Sequence, residues 1–233
     1  MPPEIDVTAI EAASARARDL LLASLATAYP QAELAETLAG PGLCDHAALG
    51  PMAAASTAGG VEALQRTYVE LFDRGRGRVS LYETEHGRMR GLSKGRDLAD
   101  LAGFYAAFGL ALDTTDLHEM LDHVAVELEF YGVLLLKQSL LSLEGDGEGA
   151  AIVLDARRKF LTDHLGAFVS AIAQAPAVRG DPAYGPVMAW CAAMVADECA
   201  TLGVRPAPLD FFAEHREPDD VECGKHVRLP VVD

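Results

Sequence analysis

Little in this sequence reads as strand. Across 233 residues, Val, Ile and Thr never alternate with polar residues over the length of a strand, and aromatics make up only 6%, which excludes a sheet protein. Long apolar runs are missing too. The longest, residues 133–143, is interrupted by Lys137 and Gln138 and falls well short of the roughly 20 residues that a bilayer span needs, so no membrane insertion is expected. The opening Met1-Pro2-Pro3-Glu4-Ile5-Asp6 has neither the basic nor the apolar part of a secretory signal, and a cytoplasmic protein is expected. Cysteine is sparse: Cys44, Cys191, Cys199 and Cys223 form no CxxC, which predicts free thiols, with Cys191 and Cys199 as small apolar residues of one helix. Positive charge is scarce. With 19 Lys and Arg against 35 Asp and Glu, the net charge is −16; such a chain repels nucleic acid and anionic membranes and attracts cationic peptides.

Catalytic signatures are absent or incomplete. Gly91-Leu92-Ser93-Lys94-Gly95 lacks the spacing of a phosphate-binding loop, and there is no Gly-x-Ser-x-Gly. Glu83-x-x-His86 has the spacing used in di-iron bundles, but the second such motif is missing. Cys223-x-x-His226 is half of a zinc-like pattern. Asp45-His46, Asp122-His123 and Asp163-His164 reverse the His-Asp order of helical phosphohydrolases. His123 and Glu127, four apart, and Glu119 and Asp122, three apart, are accounted for by local pairing on a helix face. The expectation is a binding protein rather than an enzyme, with no metal or tightly bound cofactor.

What the sequence does carry is helix. Half of the residues are hydrophobic, and they recur at three- and four-residue steps. A capping box at Thr8-x-x-Glu11 opens a helix that runs to Tyr29, where Pro30 stops it. Further helices are predicted over 32–38, more weakly over 46–55, and over 61–72, with a small-residue break at 56–60. After a long loop come helices over 98–110 and 117–143; the second is the most apolar and the expected centre of the core, with 113–116 as its cap. The run Glu144-Gly145-Asp146-Gly147-Glu148-Gly149 reads as a flexible linker. Helices over 152–173 and from Asp181-Pro182 to Leu202 follow, then a short helical piece around Phe211 and an acidic tail. The prediction is one all-α domain, 1–233, of about nine to eleven helices, with a subdivision into 1–143 and 150–233 around the linker.

The segment between the helices at 61–72 and 98–110 departs from the rest in charge. Residues 74–96 hold seven basic side chains against Glu83 and Glu85, a local charge of +5 in a chain of −16. A loop of this length with buried-type residues such as Leu81, Tyr82 and Met89 is seldom passive. Tyr68, Leu71-Phe72-Asp73-Arg74-Gly75-Arg76, Ser80-Leu81-Tyr82-Glu83, His86-Gly87 and Arg88-x-Arg90-Gly91 resemble the signature of the TorD/DmsD/NarJ family of molybdoenzyme-specific chaperones. Phe104-Tyr105 with Phe108-Gly109-Leu110, and Asp122-His123 followed by Glu127-Leu128-Glu129-Phe130, resemble two further elements of that family in matching order. The wording is nearest to the nitrate reductase and type II dimethyl sulfoxide reductase branch. Val79 stands where part of the family has Pro.

The resemblance implies a cytoplasmic chaperone, monomer or homodimer, that binds the immature catalytic subunit of a molybdopterin oxidoreductase, often at a twin-arginine signal peptide, and holds it until cofactor is inserted. It implies at most transient contact with the molybdenum cofactor. A twin-arginine peptide needs carboxylates beside an apolar groove, and Asp122, Glu127 and Glu129, with Glu119, beside Leu121, Leu128 and Phe130 would supply both. Asp122 and His123 match the motif residue by residue and are placed at the join between the helix at 98–110 and the central helix, lining the groove. Tyr82, Glu83, His86 and Arg74 complete the candidate client-binding set, with the Arg-rich loop facing acidic client surface or cofactor phosphates. The alternatives are a helical metal-dependent hydrolase and an assembly subunit retained in the mature complex.

Overall fold

The computed structural model of the chain describes residues 7–73, 78–87, 94–110, 120–206 and 209. Among the described residues the regular structure is helical: α1 (Val7–Thr27), α2 (Ala32–Leu38), α3 (Gly50–Phe72), α4 (Lys94–Ala107), α5 (Val124–Glu144), α6 (Gly147–Phe160), α7 (Gly166–Gln174), α8 (Pro176–Arg179) and α9 (Tyr184–Leu202). A 3₁₀ turn at Glu83–Glu85 and a π-helical turn at Leu161–Leu165 complete it. The fold is all-α, as the periodicity predicts. No helix among these residues is long and apolar enough to cross a membrane.

Helix α5 is the axis of the molecule. It packs along α1 and against α6, while α9 lies on α1 and α7. Gly132 makes the α1–α5 approach close, because a Cβ there would sit 3.4 Å from both the Ala17 carbonyl and the Leu21 side chain. The central helix is shorter than predicted, beginning at 124 rather than 117. His123 has an extended backbone (φ −80°, ψ 136°) and its ring accepts the N–H of Ala125, so it caps the helix and fixes its start at 124. The cap candidates at 113–116 lie outside the described residues, as does the predicted helical piece around Phe211.

The expected break at 56–60 falls at Gly60, whose φ of 71°, a value that favours glycine, kinks α3 into two helical stretches. One other boundary differs from the sequence reading. The Gly-rich run at 144–149 is a tight corner and not a flexible linker. Gly145 closes α5 in the left-handed conformation (φ 76°), and Asp146 caps α6 by accepting the Gly149 N–H at 2.9 Å. The segments on either side of that corner share one hydrophobic core.

They also share a buried ion network. Arg157 of α6, 6% exposed, donates to Glu198 of α9 at 2.5 Å, to the Tyr131 hydroxyl of α5 at 3.3 Å and to Gln138 at 2.5 Å. Tyr131 donates to Glu198 at 2.7 Å, and Arg16 of α1 reaches the other Glu198 oxygen at 3.0 Å. Every polar atom of this buried cluster has a partner, the condition under which a buried charge is tolerated. Cys44, Cys191 and Cys199 are free thiols, and burial pushes the Cys191 thiol up to about 12.

Candidate functional site

Residues 80–87 lie across the N-terminal end of α5 and are fastened to it. The Glu83 N–H donates to the Asp122 carbonyl at 2.8 Å and the Val124 N–H to the Leu81 carbonyl at 2.9 Å, an isolated antiparallel bridge centred on Tyr82 and His123. Leu81, 1% exposed, is the apolar peg that seats the segment. The Tyr82 ring meets the His123 ring edge-on at 5.0 Å. His123 is fully buried. Since its Nδ1 accepts the Ala125 N–H, the proton of the neutral ring sits on Nε2, which donates to the Tyr68 hydroxyl at 3.2 Å.

Beneath this bridge three carboxylates converge. Asp122 accepts the Thr84 hydroxyl at 2.6 Å through Oδ2, whereas its Oδ1 is buried without a hydrogen-bond partner. Glu127, fully buried one turn into α5, has no partner for either oxygen among fixed donors. Burial first, then the charges of Glu83 and Asp122, push its carboxyl well above the usual range. The protonated Glu127 can donate to Glu83, which removes one of the three negative charges. Burial raises Glu83 as well, opposed by its bond to His164. The Tyr105 hydroxyl, which donates to the Leu121 carbonyl at 2.8 Å, is raised by burial and then by Glu127 and its neighbours.

His164 is the cation of the cluster. It lies in the π-helical turn, 3% exposed, with Nδ1 3.1 Å from Glu83 Oε2 and Nε2 3.2 Å from Asp100 Oδ2. Burial works to lower its pKa, but the bonds and charges of Glu83 and Asp100 outweigh it and the net shift is upward. An imidazole between two carboxylates donates from both nitrogens, which requires the charged form. His164 therefore joins α4, the 80–87 segment and the α6–α7 turn.

The sequence-predicted site residues thus fall into different environments. Asp122, His123, Glu127, Glu83 and Tyr82 come together at the join between α4 and α5. They do not line an open groove: Asp122, His123 and Glu127 are all 0% exposed. Local hydrogen bonding wins, because 80–87 covers the N-terminus of α5 and supplies Thr84 as a donor. Phe130 is 2% exposed and packs on Tyr105 at 4.7 Å and Phe160 at 4.8 Å, a core position. Glu129 is exposed on the outer face of α5. The His86 ring is hydrogen-bonded to the Ser80 carbonyl at 2.9 Å, and among the described residues no three of His, Cys, Asp and Glu are grouped so as to hold a metal ion. Arg74 lies outside the described residues. The sequence reading missed His164 and Thr84; Asp163-His164 was visible only as a reversed dipeptide, and the π-helical turn that aims the ring has no periodicity signal.

Comparison with known proteins agrees with the motif-level resemblance. The model of a family described as nitrate reductase delta subunit matches residues 22–174, which takes in α1 from its last turns, the whole 80–87 joint and α5 to α7. A selenate reductase assembly chaperone protein of Thauera selenatis is 36% identical over 112 residues, which are 46% of this chain and 54% of that protein. The matched region is thus about half the length of that relative. With the family model covering well over half of the sequence, this chain belongs to the nitrate reductase delta subunit family, the NarJ/TorD type of molybdoenzyme maturation chaperone.

Proposed function

We propose that this chain is a cytoplasmic chaperone that binds the immature catalytic subunit of a molybdopterin oxidoreductase and keeps it open to cofactor insertion. The observation that carries this reading is the family match over 22–174, because it contains every residue of the joint between 80–87 and α5. The name of the selenate reductase relative supports a client of that oxidoreductase class. Asp122, His123, Glu127, Tyr82, Glu83 and His86 serve the client through that joint, and a twin-arginine signal peptide is the segment recognised. Asp122 Oδ1, buried and without a partner, can accept from one guanidinium group, and Glu127 can accept from a second on giving up its proton. Both carboxyl groups come within a peptide's reach when 81–84 lifts from α5, a step that breaks two backbone hydrogen bonds and both Thr84–Asp122 bonds.

The test is co-purification of the tagged chain with the client subunit, comparing cells that can and cannot make molybdenum cofactor. The reading expects the complex to accumulate with cofactor-free client and to be absent from the mature enzyme. Equal recovery with mature, active enzyme would instead mark a retained assembly subunit.

A further inference from the structure

A second surface lies on the far side of α5. Residues on a helix fall 100° apart, which places Glu127 opposite Leu136, so the outer stripe faces away from the carboxylate cluster. Along it run Leu136, Leu140 and Leu143 at steps of four and three, 41%, 54% and 47% exposed. Val133 continues the stripe toward the N-terminus half-buried, and Glu129 begins it. Three leucines exposed in one row of a single helix form a contiguous apolar patch, the kind of surface that marks a contact with another protein.

Charge identifies what covers it. Glu129 stands at one end, and Glu144, Asp146 and Glu148 are exposed at the other. Lys137, at the edge of the stripe, is engaged with the Phe108 carbonyl at 3.0 Å. A second copy packed antiparallel would set Glu129 against the acidic cluster at 144–148. A parallel copy would set each acidic end against itself. Both arrangements place like charges together at a desolvating interface, which disfavours self-association. A net charge of −16 equally disfavours an anionic membrane.

We infer that the outer face of α5 is a docking surface for an amphipathic helix of another protein that carries basic residues at both ends of its apolar stripe. The partner's apolar residues follow the i, i+3, i+4, i+7 rule of helix-in-groove recognition. From Glu129 to Glu144 the helix rises about 22 Å, so the partner's two basic clusters stand about 15 residues apart. The assignment is independent of client binding at the Asp122 joint.

The experiment uses the full chain and a labelled 15-residue helical peptide with a leucine stripe and lysines at both ends. Two control peptides carry glutamate at the ends or the same residues scrambled. Fluorescence anisotropy is read for wild type, Leu140→Glu and the double variant Glu129→Lys, Glu144→Lys, alongside melting curves and light scattering. The lysine-ended peptide is expected to bind at least about tenfold more tightly than either control. Leu140→Glu and the charge-reversed variant each remove that preference while melting stays within about 2 °C of wild type, as for an exposed site. Equal binding of the lysine-ended and scrambled peptides, or none at all, overturns the inference. A drop of several degrees in Leu140→Glu overturns it by showing that the chain itself covers the stripe. A wild-type dimer that Leu140→Glu dissociates assigns the face to a second copy and overturns it as well.

Discussion

His164 Nδ1 lies 3.1 Å from Glu83 Oε2, and this contact fastens a loop residue to a helix 81 positions away. It is one half of an acid–base cluster in which Glu127 has no cation of its own. The pH dependence of folding follows from both groups. His164 has a raised pKa, so its stabilisation is complete below its ordinary value of 6.5 and is lost as pH rises through the higher folded-state value. Glu127 is a carboxyl with a raised pKa, so the folded state holds its proton more firmly than the unfolded state. Stability from that source falls as pH rises above 4.5. Both effects have the same sign. The melting temperature of wild type should fall as pH rises above about 6.5, and Glu127→Gln should fall less over the same interval, since Gln keeps a donor for Glu83 without an ionisable proton. Parallel slopes for the two proteins would show that Glu127 is not the titrating group.

Phe72 closes α3 at 4% exposure, edge-on to Tyr68 at 5.3 Å and to Tyr184 of α9 at 5.4 Å. Removing the ring leaves a cavity between α3 and α9, and Phe72→Ala should destabilise by about 3–5 kcal/mol. Denaturant unfolding measures it. A loss below about 1 kcal/mol would mean the site collapses onto the gap.

The Thr84 hydroxyl donates to Asp122 Oδ2 at 2.6 Å. Thr84→Val keeps the shape and removes the hydroxyl, so that buried oxygen keeps only the long Thr84 N–H contact at 3.4 Å, at a cost of about 1–3 kcal/mol. Asp122→Asn retains an acceptor for Thr84 and should be milder in melting curves. Titrated with the client's N-terminal peptide, Asp122→Asn should nonetheless bind about ten- to a hundredfold more weakly, with a smaller salt dependence. Unchanged peptide affinity in a destabilised variant would confine Asp122 to a structural role.

The helices were legible because their signals are local. Asp181 accepts the N–H groups of Ala183 and Tyr184 at 2.9 and 2.7 Å, and Gly203 ends α9 at φ 65°, both as the residues announce. The pairing of Asp122, His123 and Glu127 with Glu83 and Tyr82 was legible only through motif resemblance, since 38 residues separate Thr84 from Asp122 and no periodicity spans that gap. What remained hidden was burial. A charged residue in the first turn of a helix reads as solvated, and nothing in Glu127 itself tells that 80–87 folds over it. Gly145 misled for a related reason, since a left-handed cap and a flexible linker call for the same residue, while Gly147 and Gly149 lie in the first turn of α6.

Readying a molybdoenzyme for its cofactor is the step proposed for this chain. The direct measurement is the molybdenum and pterin content of the client catalytic subunit, purified from cells that express it with the chain, without it, or with Asp122→Asn. Near-stoichiometric cofactor is expected with the chain, a several-fold deficit without it, and an intermediate value with the variant. Equal cofactor content in the presence and absence of the chain would contradict it.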